Sequence, residues 1–227
     1  MKPIRVSATC VAEIANSSPA TRLVKLRPFK YRDRGEGAGR SAYYKRTIDV
    51  AREYHRGAND VRVIRRVIEE LTAIENDPGF SRNARTKARR NIDAVVAYDD
   101  LYGRRNFRVL SNHRISFTVG RVTITAQPDL WVEENGTVVL IKIGVAKHKT
   151  AEYIDLLLHL IRKAAIASGH RIRARNVVYL NTTTGEEIIS HLPLSHFNRT
   201  IRNACQEISS LWSSVSPPES RPKIVVR

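Results

Sequence analysis

The chain has 227 residues, 42% of them hydrophobic, which is enough to build a full core. Its formal net charge is +17, an excess that repels itself within a compact body and that a polyanionic partner relieves. Apolar runs such as Val138 to Ile141 and Ile154 to Leu160 are too short to cross a bilayer, and the basic Met1-Lys2-Pro3-Ile4-Arg5 start lacks the apolar segment of a signal peptide, so cytoplasmic residence without membrane attachment is expected.

In chain order, Ser7 is placed to cap a short helix running through Glu13 to Ala15, and residues 33–39 read as a glycine-rich loop. Ser41 to His55 reads as a helix through Tyr44, Ile48, Ala51 and Tyr54. Asn59-Asp60 caps the next helix, whose stripe is Val63, Ile64, Val67, Ile68 and Leu71, and Asp77-Pro78-Gly79 ends it. A long helix is predicted from Ser81 to Tyr102 with Ile92, Val95 and Val96 inward. Its first half carries Arg82, Arg85, Lys87, Arg89 and Arg90, cations crowded at the unfavourable end of the helix dipole, so a nucleic-acid-binding role is expected for them.

The period then changes to two. Strands are expected at 108–110, 114–119 and 122–125, then at 130–133 and 137–143 around the Glu134-Asn135-Gly136 turn, where Asn and Gly tolerate positive φ. A helix from Glu152 to Ser168 closes at Gly169, a strand follows at 175–180, and a terminal helix at 194–213 aligns Phe197, Ile201, Ala204, Ile208 and Leu211. Residues 214–227, with Pro217-Pro218, read as an extended tail. The whole is expected to be a single α/β domain over 1–213: a helical part to about 102, a mixed central sheet flanked by helices over about 103–192, and the terminal helix. Arg104 and Arg105 follow the long helix, and Arg171, Arg173 and Arg175 alternate on an extended run, so the three should face one side. Rows of guanidinium groups suit phosphate, and DNA or RNA is the expected partner.

One string could carry chemistry. Pro128-Asp129-Leu130 opens one strand of the Asn-Gly hairpin, and Leu140-Ile141-Lys142-Ile143-Gly144 closes the other, so Asp129 and Lys142 should meet at one end of the sheet. Carboxylates that hold Mg²⁺ or Mn²⁺, with a lysine beside them, are what metal-dependent phosphodiester cleavage requires. This layout resembles the PD-(D/E)XK nuclease superfamily, most nearly its exonuclease branch related to RecB and Cas4. The resemblance implies a restriction-endonuclease-like core, with Asp129 as the first acidic motif and Lys142 as the lysine of the second. Leu140 stands in the second acidic position, where a cation ligand is required.

The resemblance also makes His55, at the end of a helix, a candidate metal ligand beside Asp129. Some relatives carry an iron–sulfur cluster, but Cys10 and Cys205 alone cannot supply four thiolates. The expectation is therefore a nuclease-fold protein that does not cleave, holds no cofactor, and binds nucleic acid or serves as a subunit of a nucleic-acid-processing complex. Two alternatives stand beside it. One is a Mg²⁺- or Mn²⁺-dependent nuclease whose second acid has migrated, with Glu69, Glu70, Asp93 or Asp99 as sources. The other is a structural adaptor for an acidic protein.

Overall fold

The computed structural model describes residues 3–31, 45–57, 59–144 and 149–217. The chain is mixed α/β, with two sheets and helices on both faces of the larger one. β1 (Ile4–Ser7) pairs in parallel with β4 (Val122–Ala126), and β4 pairs antiparallel with β3 (Ile115–Val119). The second sheet has the order β2-β5-β6-β7-β8: β2 (Arg108–Val109), β5 (Leu130–Glu134), β6 (Thr137–Gly144), β7 (Val177–Asn181) and β8 (Glu186–Ile189). Asn135 and Gly136 take φ of 50° and 73° in the β5–β6 turn, as the sequence requires. β6 and β7 run parallel, joined through α6 (Ala151–Ala167).

Alternation along the strands divides the core. Trp131, Leu140, Val177 and Tyr179 point to one face, where they join α1 (Ala8–Ala15), α6 and α7 (Asn198–Leu211). Leu130, Val132, Val139, Ile141, Ile143, Val178 and Leu180 point to the other and meet Tyr98 and Tyr102 of α5 (Arg82–Tyr102) and Ala51 of α3 (Lys45–Arg56). A third cluster binds α3 and α5 to α4 (Val61–Asn76) through Val50, Tyr54, Val63, Ile64, Val67 and Val95. The helix starts follow the expected capping: Ser7 accepts from the Cys10 N–H, Asp60 from Arg62 and Ser81 from Ala84.

Several boundaries differ from expectation. β1 and β8 are additional short strands, the strand expected at 108–110 stops at Val109, and α2 (Arg22–Lys30) is an additional helix carrying Pro28 and burying only Leu26. Val96 is exposed, because the buried stripe of α5 runs through Ala88, Asn91, Val95, Tyr98 and Tyr102. Residues 174–176 form a 3₁₀ turn, so β7 begins at Val177 and not at Arg175. The terminal helix starts at Asn198. Val215 is buried, and its carbonyl accepts from Lys30 and from the Tyr31 hydroxyl, so the predicted tail is anchored at its start. The predicted loop at 33–39, the helix start at 41–44 with Tyr43 and Tyr44, and the tail beyond 217 lie outside the described residues.

Candidate functional site

Asp129 precedes β5 and extends its ladder: the Asp129 N–H donates to the Ile141 carbonyl at 2.9 Å. Its side chain shares the face of Trp131, two residues on, and Lys142 shares the face of Leu140 across the hairpin. The two polar groups therefore meet. Lys142 Nζ donates to Asp129 Oδ1 at 2.9 Å, and the Ile143 N–H donates to Oδ2 at 2.8 Å. The pair is sheltered, with 25% of the lysine side chain and 15% of the aspartate side chain exposed. Acid and amine form one ion pair, as the hairpin register predicts.

Leu140 has no exposed surface and packs within the apolar cluster that contains Trp131 and Val177. A second carboxylate at this position would sit in hydrocarbon, where its desolvation is costly. Gly144 also has a packing reason: a Cβ there would lie 2.5 Å from the Tyr179 hydroxyl. Behind Asp129, on the α3 side, Arg52 Nη2 and Asn112 Nδ2 both donate to the Asp129 carbonyl, at 2.8 and 3.4 Å. These two residues line an open polar cleft of about 290 Å³ with Asp49, Glu53, Arg56 and Leu110. Sequence reasoning missed Arg52 and Asn112. Asp49, Arg52, Glu53 and Arg56 do recur at helical spacing, but nothing in the sequence says that this face turns toward Asp129.

The second acid is not supplied from the expected sources. Glu70 is bound to Arg46 and Arg66, Asp93 to Arg89, and Glu69 is exposed. Burial, with Asp100 adding to it, raises the Asp99 carboxyl. None of the four contacts Asp129. Glu13 of α1, a sheltered acid on the Trp131–Leu140 face, is paired with Lys149 at 3.5 Å. Burial, then Glu13, push the nearby Tyr153 phenol up.

His55 lies apart from the pair. It is buried on the opposite face among Tyr54, Tyr98 and Phe107, and Nδ1 shares a 2.8 Å hydrogen bond with Asn59 Oδ1. Burial lowers its pKa, and Nε2 has no hydrogen-bond partner. Its place is an aromatic cage and not the side of Asp129. Among the described residues, no three His, Cys, Asp or Glu side chains form a metal-holding group. Asp129 already accepts from an ammonium and an amide, and Leu140 is buried in hydrocarbon, so the described residues do not fit Mg²⁺ or Mn²⁺.

The predicted basic residues divide into three settings. Arg105 is committed internally. It donates to both carboxylate oxygens of Glu134 at 2.8 and 2.5 Å and to Glu187 at 3.3 Å, and it lies over the rings of Tyr102 and Phe107. The Glu134 contacts hold its pKa above the ordinary guanidinium value and that of Glu134 below the usual carboxylate range. Arg105 is thus a clamp between the β5–β6 turn and β8, whereas Arg104 is exposed.

Along α5, Arg89 is paired with Glu75 and Asp93, while Arg82, Lys87 and Arg90 are exposed and Arg85 is half-buried. Arg171, Arg173 and Arg175 are all exposed around buried Ile172. Ile172 belongs to the Trp131–Leu140 face and α5 to the other, so the two rows lie on opposite faces of the larger sheet and do not line one groove.

No protein-family model matches the chain, and no curated protein matches it at a significant level.

Proposed function

We propose that this chain is a nuclease-like α/β protein, built on the restriction-endonuclease plan, that binds nucleic acid without cleaving it. The observation that carries the reading is the closed Asp129–Lys142 pair beside Leu140. An acid and a lysine stand at facing ends of a hairpin that is followed by a crossover helix and a parallel strand, the arrangement that a PD-(D/E)XK core uses. The position of the second acid is filled by hydrocarbon.

Physical chemistry then divides the function. Cleavage needs a cation to polarise the phosphate and lower the pKa of an attacking water, and that needs more than one carboxylate. Here the lysine ammonium neutralises the single acid. Binding needs only positive surface, and the chain has +17 of it in formal charge.

The test is a fluorescence-anisotropy titration of labelled DNA and RNA oligonucleotides, with a parallel gel for product in EDTA, Mg²⁺ and Mn²⁺. The reading expects binding that weakens with salt, and intact substrate in every metal. Metal-dependent product that disappears in Asp129→Ala would overturn the non-cleaving half, and absence of binding would overturn the other.

A further inference from the structure

The positive charge is not spread evenly along the chain. No Asp or Glu occurs between Asp100 and Asp129, and none between Asp155 and Glu186. The fold brings parts of these two acid-free stretches together. His113 and His170 both pack edge-on against Trp131, with ring centroids 5.8 and 4.9 Å from the indole. Each histidine is followed directly by an exposed arginine, Arg114 and Arg171.

The join continues outward from Trp131. Lys163 of α6 lies over the ring of Phe117 in β3 at 5.7 Å, and Arg162 Nε donates to the Ile172 carbonyl at 3.2 Å, which holds the loop to α6. β3 is an edge strand of the smaller sheet. The Trp131 indole N–H is buried beneath this surface without a hydrogen-bond partner.

Resting on the nucleic-acid reading, we infer that this surface, Arg114 with Arg171, Arg173, Arg175 and Lys163, is where a phosphodiester backbone docks. Two arguments favour it over the arginines of α5. First, α5 and its neighbour α4 interleave acids with bases, and Arg89 and Arg66 are already paired there. Among the described residues, Arg114, Arg171, Arg173 and Arg175 have no acidic partner. Unpaired cations release counterions to a polyanion without first breaking an internal bridge.

Second, the three loop arginines are anchored. Ile172 is buried between them, and Asn176 Nδ2 donates to the Val138 carbonyl at 3.2 Å, so their backbone needs little ordering on binding. Contacts from guanidinium groups to phosphate position a strand without reading its sequence.

The experiment compares the full chain with the variant R171Q/R173Q/R175Q, with the charge-retaining R171K/R173K/R175K, and with R82Q/R85Q on α5. Binding of a labelled oligonucleotide is followed across a salt series. The Gln triple variant should bind at least about tenfold more weakly, and its log–log salt slope should fall by roughly 2 to 3, near one unit per lost phosphate contact. The Lys variant should retain most of the slope, and the α5 variant should change affinity by less than about threefold, within the weak effects of exposed charges. Circular dichroism melting identifies any variant that fails to fold, in which case the single substitutions Arg171→Gln and Arg173→Gln carry the comparison.

Unchanged affinity and slope in the Gln triple variant, with the unmodified chain binding well, would overturn this surface and leave the nucleic-acid reading standing. An unmodified chain that binds polyglutamate but no oligonucleotide would overturn both in favour of an acidic protein partner.

Discussion

Asp129 and Lys142 meet because a hairpin with a two-residue Asn-Gly turn fixes its register, and side chains on paired strands then share a face at set positions. The bridge is sheltered enough that its partners depend on each other. Lys142→Ala leaves the Asp129 carboxylate with only the Ile143 N–H, and should cost about 1–3 kcal/mol in urea unfolding. Lys142→Met with Asp129→Asn should recover part of that loss, since neither charge is then stranded; a double variant whose loss equals the sum of its singles would rule out coupling.

Leu140→Ala should cost about 2–5 kcal/mol, as for other fully buried leucines, and a loss under about 1 kcal/mol would mean that the position is not the packed core site described. This much was legible in the sequence, because a period of two and a turn motif determine which residues face each other. The role of Gly144 was not: the Tyr179 hydroxyl that limits it comes from a strand reached only after the crossover helix.

Elements were legible where their periodicity was long and strong. The 3.6-residue stripes of α4 and α6 and the alternation of β5 and β6 carry their own signal. β1 and β8 have four residues each, and β1 finds its partner β4 more than a hundred residues later, so neither has a local signature. α2 interrupts its own pattern with Pro28.

The packing of α6 gives an element-scale prediction. His159 is buried beside a cavity of about 10 Å³ that Ser190 also lines, and neither His159 Nε2 nor Ser190 Oγ has a hydrogen-bond partner. Burial, then the nearby Lys163 and Arg162, lower its pKa to about 4. In the unfolded chain the ring takes a proton near pH 6.5. Its neutral form is therefore favoured by folding, and stability is lost as pH falls from about 6.5 towards about 4. His159→Gln should flatten this part of the pH–stability curve in urea titrations, and an unchanged slope would remove His159 as its cause. Arg105→Ala should lower the unfolding midpoint by freeing Glu134, Glu187 and two aromatic rings, while nucleic-acid affinity changes little. A large loss of affinity in a folded Arg105→Ala protein would return Arg105 to the interface.

At the scale of the molecule, the charge was visible from composition, but its distribution between faces was not. Two rows of arginine that read alike in one dimension are separated by a sheet, because helix α5 and the 170–175 segment pack against opposite sides of β5 and β6. One row lies among acids of its own helices, and the other is clear of them among the described residues. No helix of the described residues is long and apolar enough to cross a membrane.

The central claim joins a neutralised acid–lysine pair to retained polyanion binding. Its most direct test is the affinity of the unmodified chain for a labelled oligonucleotide between about 50 and 200 mM salt, with Mg²⁺ or EDTA present and the strand length checked afterwards. The account predicts a steep fall in affinity with salt and a strand of unchanged length in both conditions. Affinity independent of salt, or a strand shortened only when Mg²⁺ is present, would contradict it.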